Sequence, residues 1–87
     1  MKNTTSNSTD IKFAEFIALQ LEVTIPTLAK NKKYYAKDLM GVDVWELLTK
    51  GEQIQVGEEM YAMVKKGLLP ITDAGRSTSN WRQYWIN

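Results

Sequence analysis

The chain has 87 residues, of which 44% are apolar and 24% charged, and its net charge is +1. That allows one modest core and provides no global basic field to draw nucleic acid. Cysteine and histidine are both absent, which excludes disulfides, thiolate nucleophiles, and the commonest general base and metal ligand.

The first nine residues, MKNTTSNST, are polar and low in complexity. They are expected to form a disordered tail up to a helix cap at Ser8 or Thr9. A single domain is expected over 10–87, beginning with a helix over 10–23. Phe13, Ala14, Ile17 and Leu21 repeat at helical spacing and form its apolar face. Phe16 and Leu19 fall near the wet side marked by Lys12, Glu15 and Glu22; they read first as part of a broad apolar stripe covered by neighbours, and otherwise as a docking surface for a second copy or another protein. No apolar run reaches membrane-spanning length and the start lacks the apolar core of a signal peptide, so a cytoplasmic protein without membrane attachment is expected.

Thr24 to Lys33 reads as a connection, in which Pro26 biases Ile25 towards extended geometry. Lys30, Lys32 and Lys33 make the dense basic run of the chain. Tyr34 to Ala36 reads as a short strand. Lys37 or Asp38 then opens a short helix, broken near Gly41. Asp43 is positioned to cap a further piece, Val44 to Leu48, with Val44, Leu47 and Leu48 buried and Trp45 packed at its edge.

Thr49 to Leu69 carries the clearest punctuation. Thr49 and Glu52 are spaced as a capping box, Lys65 and Lys66 suit the negative end of the helix dipole, Gly67 suits a left-handed cap, and Pro70 forbids continuation. Ile54, Gly57, Met60, Tyr61 and Val64 are expected to face the core, with Gly57 at a close approach of another element. Glutamines and glutamates face outward, and Gln55, Glu59, Ala62 and Lys66 form the outer stripe. Ile71 to Ala74 then reads as a strand, Gly75 to Asn80 as a polar hairpin loop, and Trp81 to Ile86 as the return strand. Trp81, Gln83 and Trp85 share one face of that strand, and Arg82, Tyr84 and Ile86 the other. At least partial burial is expected of both Trp81 and Trp85.

This order of elements describes an α+β winged helix-turn-helix with an extra N-terminal helix, in which a first short strand joins the C-terminal hairpin to make a viable sheet. From Tyr34 onward the chain resembles a family of small bacterial and phage proteins catalogued as a domain of unknown function. The resemblance rests on YYAKDLMG (34–41), WELLTKGEQIQVGEEM (45–60) and GRSTSNWRQY (75–84), and covers roughly the last 55 residues, a length one such domain fills. The matching positions are Lys37, Asp38, Leu39, Trp45, Leu47, Gly51, Glu52, Gly57, Gly75, Arg76, Asn80 and Tyr84. The resemblance implies a winged-helix fold and a disposition to bind DNA. Glu58 and Glu59 depart from the family's basic central helix, which weakens the case for that helix entering a major groove.

Catalytic chemistry finds little support. Glu58 and Glu59 are adjacent and point about 100° apart on a helix, Ser77 and Ser79 lack a base, and no phosphate loop follows a strand. A non-enzymatic protein with no cofactor and no metal is therefore expected. Double-stranded DNA is the expected partner, which makes the protein a bacterial or phage transcriptional regulator. Arg76, Ser77 and Asn80 would lie at the hairpin tip with Arg82 behind them. Lys30, Lys32, Lys33 and Lys37 would form a second contact, and Lys50, Gln55 and Lys66 would act from the central helix. The alternative is a protein-binding accessory factor, such as an inhibitor of a host nuclease or polymerase. Phe16, Leu19, Trp81 and Trp85 would then form the partner surface, or the surface of a homodimer.

Overall fold

The computed structural model describes residues 2–87, with side chains from Phe13 onward. The elements are α1 (Lys2–Thr24), a 3₁₀ turn (Ile25–Thr27), β1 (Lys33–Tyr35), α2 (Ala36–Met40), α3 (Val42–Leu47), α4 (Lys50–Lys65), β2 (Ile71–Arg76) and β3 (Arg82–Ile86). The helix expected from Asp10 thus begins at Lys2. The side chains of the polar stretch expected as a tail, including the caps at Ser8 or Thr9, lie outside the described residues. Among the described residues no helix is long and apolar enough to cross a membrane.

Helix α4 is defined by its ends. The Thr49 side chain accepts from the Glu52 amide at 3.1 Å, and Glu52 accepts the Thr49 amide at 2.8 Å, so two orphan donors of the first turn are satisfied reciprocally. At the other end Gly67 takes φ +73°. The Leu68 amide donates to the Met63 carbonyl at 2.9 Å and the Gly67 amide to Val64 at 3.0 Å. These paired bonds close the last turn around a left-handed glycine.

Five-residue α2 is too short to stand alone, and α1 completes it. Gln20 Nε2 donates to the Met40 carbonyl at 2.8 Å, and the Thr24 hydroxyl donates to the Leu39 carbonyl, so side chains of α1 satisfy carbonyls the short helix leaves open. The chain then turns at Gly41, φ +93°, where a Cβ would lie 3.6 Å from Thr24. Gly41 precedes α3 directly, so the cap expected at Asp43 is not made; Asp43 lies in the first turn with no capping bond. Gln53 Nε2 donates to the Trp45 carbonyl at 3.0 Å and ties α4 to the end of α3.

The sheet has three antiparallel strands in the order β1-β3-β2. Tyr34 sits opposite Tyr84, and Ile71 opposite Ile86; all four are buried. Alternation sends Lys33, Thr72 and Trp85 to the other face. The register skips a residue between Asp73 and Gly75, and Gly75 takes φ +85° at this bulge. The helices cover the inner face. Ile17 and Leu21 of α1, Leu39 and Met40 of α2, and Val56, Met60 and Met63 of α4 close the core over the sheet.

Several expectations are corrected. Phe16 is half-buried and packs on the core, which bears out the broad covered stripe and removes Phe16 from the docking surface. Leu47 is 84% exposed, because α3 ends where its last turn leaves the core. Trp81 is 68% exposed, because the hairpin projects beyond the helices that would cover it. Trp85, 38% exposed on the outer sheet face, keeps the partial burial expected of it. The core face of α4 is Val56–Met60–Met63, while Ile54 is 55% exposed and turned away. Gly57 has no atom within 4 Å of where a Cβ would stand, so no element packs closely there.

Tyr84 is 2% exposed, and burial pushes its phenol from the usual 10 up to about 12. The folded state then holds this proton more tightly than the unfolded chain does. Its contribution is complete below about pH 10 and is lost as pH rises toward about 12. Alkaline unfolding curves should therefore fall more steeply for the native protein than for Tyr84→Phe. Equal slopes would mean that water reaches the phenol.

Candidate functional site

A groove of about 750 Å³ lies between α4 and the β2–β3 hairpin, with the β1–α2 junction and Trp45 of α3 also contributing to its lining. Its α4 wall is Lys50, Gln53, Ile54, Gly57, Glu58 and Tyr61. Residues 50, 54, 57 and 61 recur at four, three and four positions, so one stripe of the helix faces the groove. The opposite wall is Arg76, Ser79, Asn80, Trp81 and Arg82, and Tyr35 and Lys37 complete it.

The hairpin wall is held by its own polar groups. Asp73 accepts the Gly75 amide at 3.0 Å, and Arg82 Nη1 reaches both Asp73 oxygens at 2.8 Å. The Gly75 amide, and then Arg82, hold the Asp73 carboxyl below its ordinary range, while Asp73 raises the Arg82 guanidinium. The same guanidinium lies 4.1 Å from the Tyr61 ring centroid and the Lys65 ammonium 5.4 Å from it. Arg82 therefore links the hairpin to α4 by a cation–π contact, while its ion pair with Asp73 joins the two strands of the hairpin. At the tip, the Asn80 amide donates to the Ser77 carbonyl at 2.9 Å, and the Ser77 amide to the Trp81 carbonyl at 2.7 Å. Asn80 follows in the left-handed region, φ 68°, as tight hairpin loops require. Arg76 Nη1 donates to the Asn80 carbonyl at 3.3 Å and to its side-chain oxygen at 3.4 Å.

Electrostatically the groove is one-sided. Lys37, Lys50, Arg76 and Arg82 line it against one carboxylate, Glu58. Among the described residues only Arg82 of these cations forms a salt bridge. Among the described residues no three side chains of the metal-ligating types gather at a site.

The groove unites Lys37, Lys50, Arg76, Asn80, Arg82 and Trp81. The remaining candidates lie elsewhere. Lys30 and Lys32 are exposed in the segment before β1, and Lys33 lies 5.6 Å over the Trp85 ring on the outer sheet face. Gln55 lines a separate hollow of about 170 Å³ with Phe13, Glu58 and Glu59. Lys66 caps the far end of α4. The Ser77 hydroxyl is occupied within the loop, 3.0 Å from that of Ser79 and 3.4 Å from the Trp81 amide. Phe16 packs on the core, and exposed Leu19 does not line the groove. Tyr35, Ile54, Gly57 and Tyr61 are groove residues that sequence reasoning did not assign to a site. The signal was the stripe Lys50, Ile54, Gly57, Tyr61, which reads equally well as a core face.

No family model, curated protein or solved structure matches the chain. What the site can do therefore follows from its own chemistry. It offers cations for phosphate oxygens, aromatic rings for flat apolar groups, and an asparagine amide for hydrogen bonds.

Proposed function

We propose that this α+β domain is a winged helix-turn-helix module that binds DNA through the groove between α4 and the β2–β3 hairpin. The order of elements and the β1-β3-β2 sheet suit that layout. The observation that carries the reading is the convergence of Lys37, Lys50, Arg76 and Arg82 on one groove in a chain whose net charge is only +1. A near-neutral protein that gathers cations locally makes a focused anion site. Phosphate contacts from these groups would fix the strand's register on the protein. A regulatory role in transcription is the corresponding biological reading.

The test is fluorescence anisotropy of labelled DNA at low and at physiological salt. Binding that weakens steeply with salt is expected, because each phosphate neutralised releases counterions. Absence of binding at low salt would overturn the proposal. A second reading, an accessory factor that binds another protein, draws on Leu47 and Leu19, which are 84% and 61% exposed and do not line the groove. It predicts that substitutions at Leu47, and not at Arg76, abolish complex formation.

A further inference from the structure

We infer that the groove receives unpaired bases, so that its preferred ligand is a single strand and not a duplex. The inference rests on the DNA-binding reading above and specifies the form of nucleic acid.

Three observations lead there. The first is Trp81, which lines the groove yet is 68% exposed and contributes nothing to the core. An exposed indole beside cations is a platform on which a base face can stack, and paired bases within a duplex offer only their edges. The second is Gly57. It has ordinary helical geometry, no neighbour within 4 Å of a Cβ, and a place in the groove lining. Glycine in mid-helix costs about 1 kcal/mol relative to alanine, and neither turn geometry nor packing accounts for it here. It leaves the α4 backbone open to close approach by a flat ligand. The third is the orientation of α4. On the groove side of α4, Ile54 and Gly57 offer bases an apolar surface, the Tyr61 ring is covered by Arg82, and the Gln53 amide already donates to the Trp45 carbonyl. Gln55, the side chain suited to reading adenine in a major groove, opens on the separate hollow beside Phe13.

The chemistry divides accordingly. Lys37, Lys50 and Arg76 carry charge for the phosphates. Trp81 stacks with a base, and the Arg82 guanidinium, fixed over Tyr61 by Asp73, sets the groove's width. A groove of about 750 Å³ is of the size that encloses small planar ligands.

The experiment compares four labelled probes: a thymidine strand of about 15 nucleotides, a mixed-sequence strand, its duplex, and an abasic strand of equal length. Both base-bearing strands are expected to bind at least tenfold more tightly than the duplex and the abasic strand, with quenching of tryptophan fluorescence. Trp81→Ala should weaken strand binding roughly 5- to 150-fold, the range for loss of one stacked base, and leave duplex affinity unchanged. Gly57→Leu should also weaken strand binding, while its melting temperature does not fall, because nothing in the fold meets the new side chain. Equal affinity for strand and duplex would overturn the inference and leave DNA binding standing. Equal affinity for the abasic strand, or no effect of Trp81→Ala, would also overturn it. No binding of any probe at low salt would remove both this inference and the function it rests on.

Discussion

Tyr84→Ala is expected to cost about 3–5 kcal/mol of stability, the range for removing a large buried ring. Tyr84 is 2% exposed and pairs in the sheet with Tyr34 on one side and Asp73 on the other. Its ring faces the helical layer and sits in the same core cluster as Met60 and Leu39. A domain of this length holds roughly 4–13 kcal/mol in total, so the variant should be near the edge of folding at ordinary temperature. Urea unfolding followed by circular dichroism would show the midpoint collapse with the slope retained. Tyr84→Phe keeps the ring and should lose little at neutral pH, which separates packing from the hydroxyl. A loss below about 1 kcal/mol for the alanine variant would mean that the neighbours close over the void.

Reversing charge at three groove positions, Lys37→Glu, Lys50→Glu and Arg76→Glu together, should weaken DNA binding by at least about 100-fold at low salt and flatten its salt dependence by roughly two to three units. All three side chains are exposed, and among the described residues none forms a salt bridge, so the fold should be little affected. Arg82 is left in place because its contact with Tyr61 ties the hairpin to α4 and its bond to Asp73 ties β3 to β2. The companion variant Lys30→Glu, Lys32→Glu, Lys66→Glu makes the same change in net charge outside the groove. It should retain most of the affinity, losing only the long-range attraction that salt screens. Equal losses in the two variants would show that net charge, and not the groove, governs binding.

The fold could be read from the chain where local chemistry decides it. Thr49, Glu52 and Gly67 mark the ends of α4 because each satisfies a backbone group that no distant residue can reach. The pleat of β3 was legible for the same reason: alternation alone separates Tyr84 and Ile86 from Trp85. The rotation of α4 was not legible. Ile54, Val56, Met60, Tyr61, Met63 and Val64 cover about half of the helix circumference at 100° per residue, so periodicity permits two core faces. Tertiary packing chose Val56, Met60 and Met63, and that choice turned Ile54 and Tyr61 toward the hairpin. Gly57 followed the same rotation, from an expected tight contact to an open wall. The groove itself arises from the hairpin's angle to α4, which is set by Arg82, Asp73 and Tyr61 acting across distant positions. No single segment encodes it.

The strand order has a consequence for how the chain is made. β3 lies between β1 and β2, yet it follows both in sequence, and the two outer strands share no ladder. As synthesis proceeds from the N-terminus, β1 and β2 leave the ribosome with no partner for either. The helices can collapse on one another in that interval, with α4 already stapled at both ends. The sheet must wait for Arg82 to Ile86 and then closes in one event, as a single strand enters between two others. Until then Tyr34 and Ile71 lack the strand that covers them, and a chain truncated before residue 82 would present both as apolar surface to chaperones and proteases.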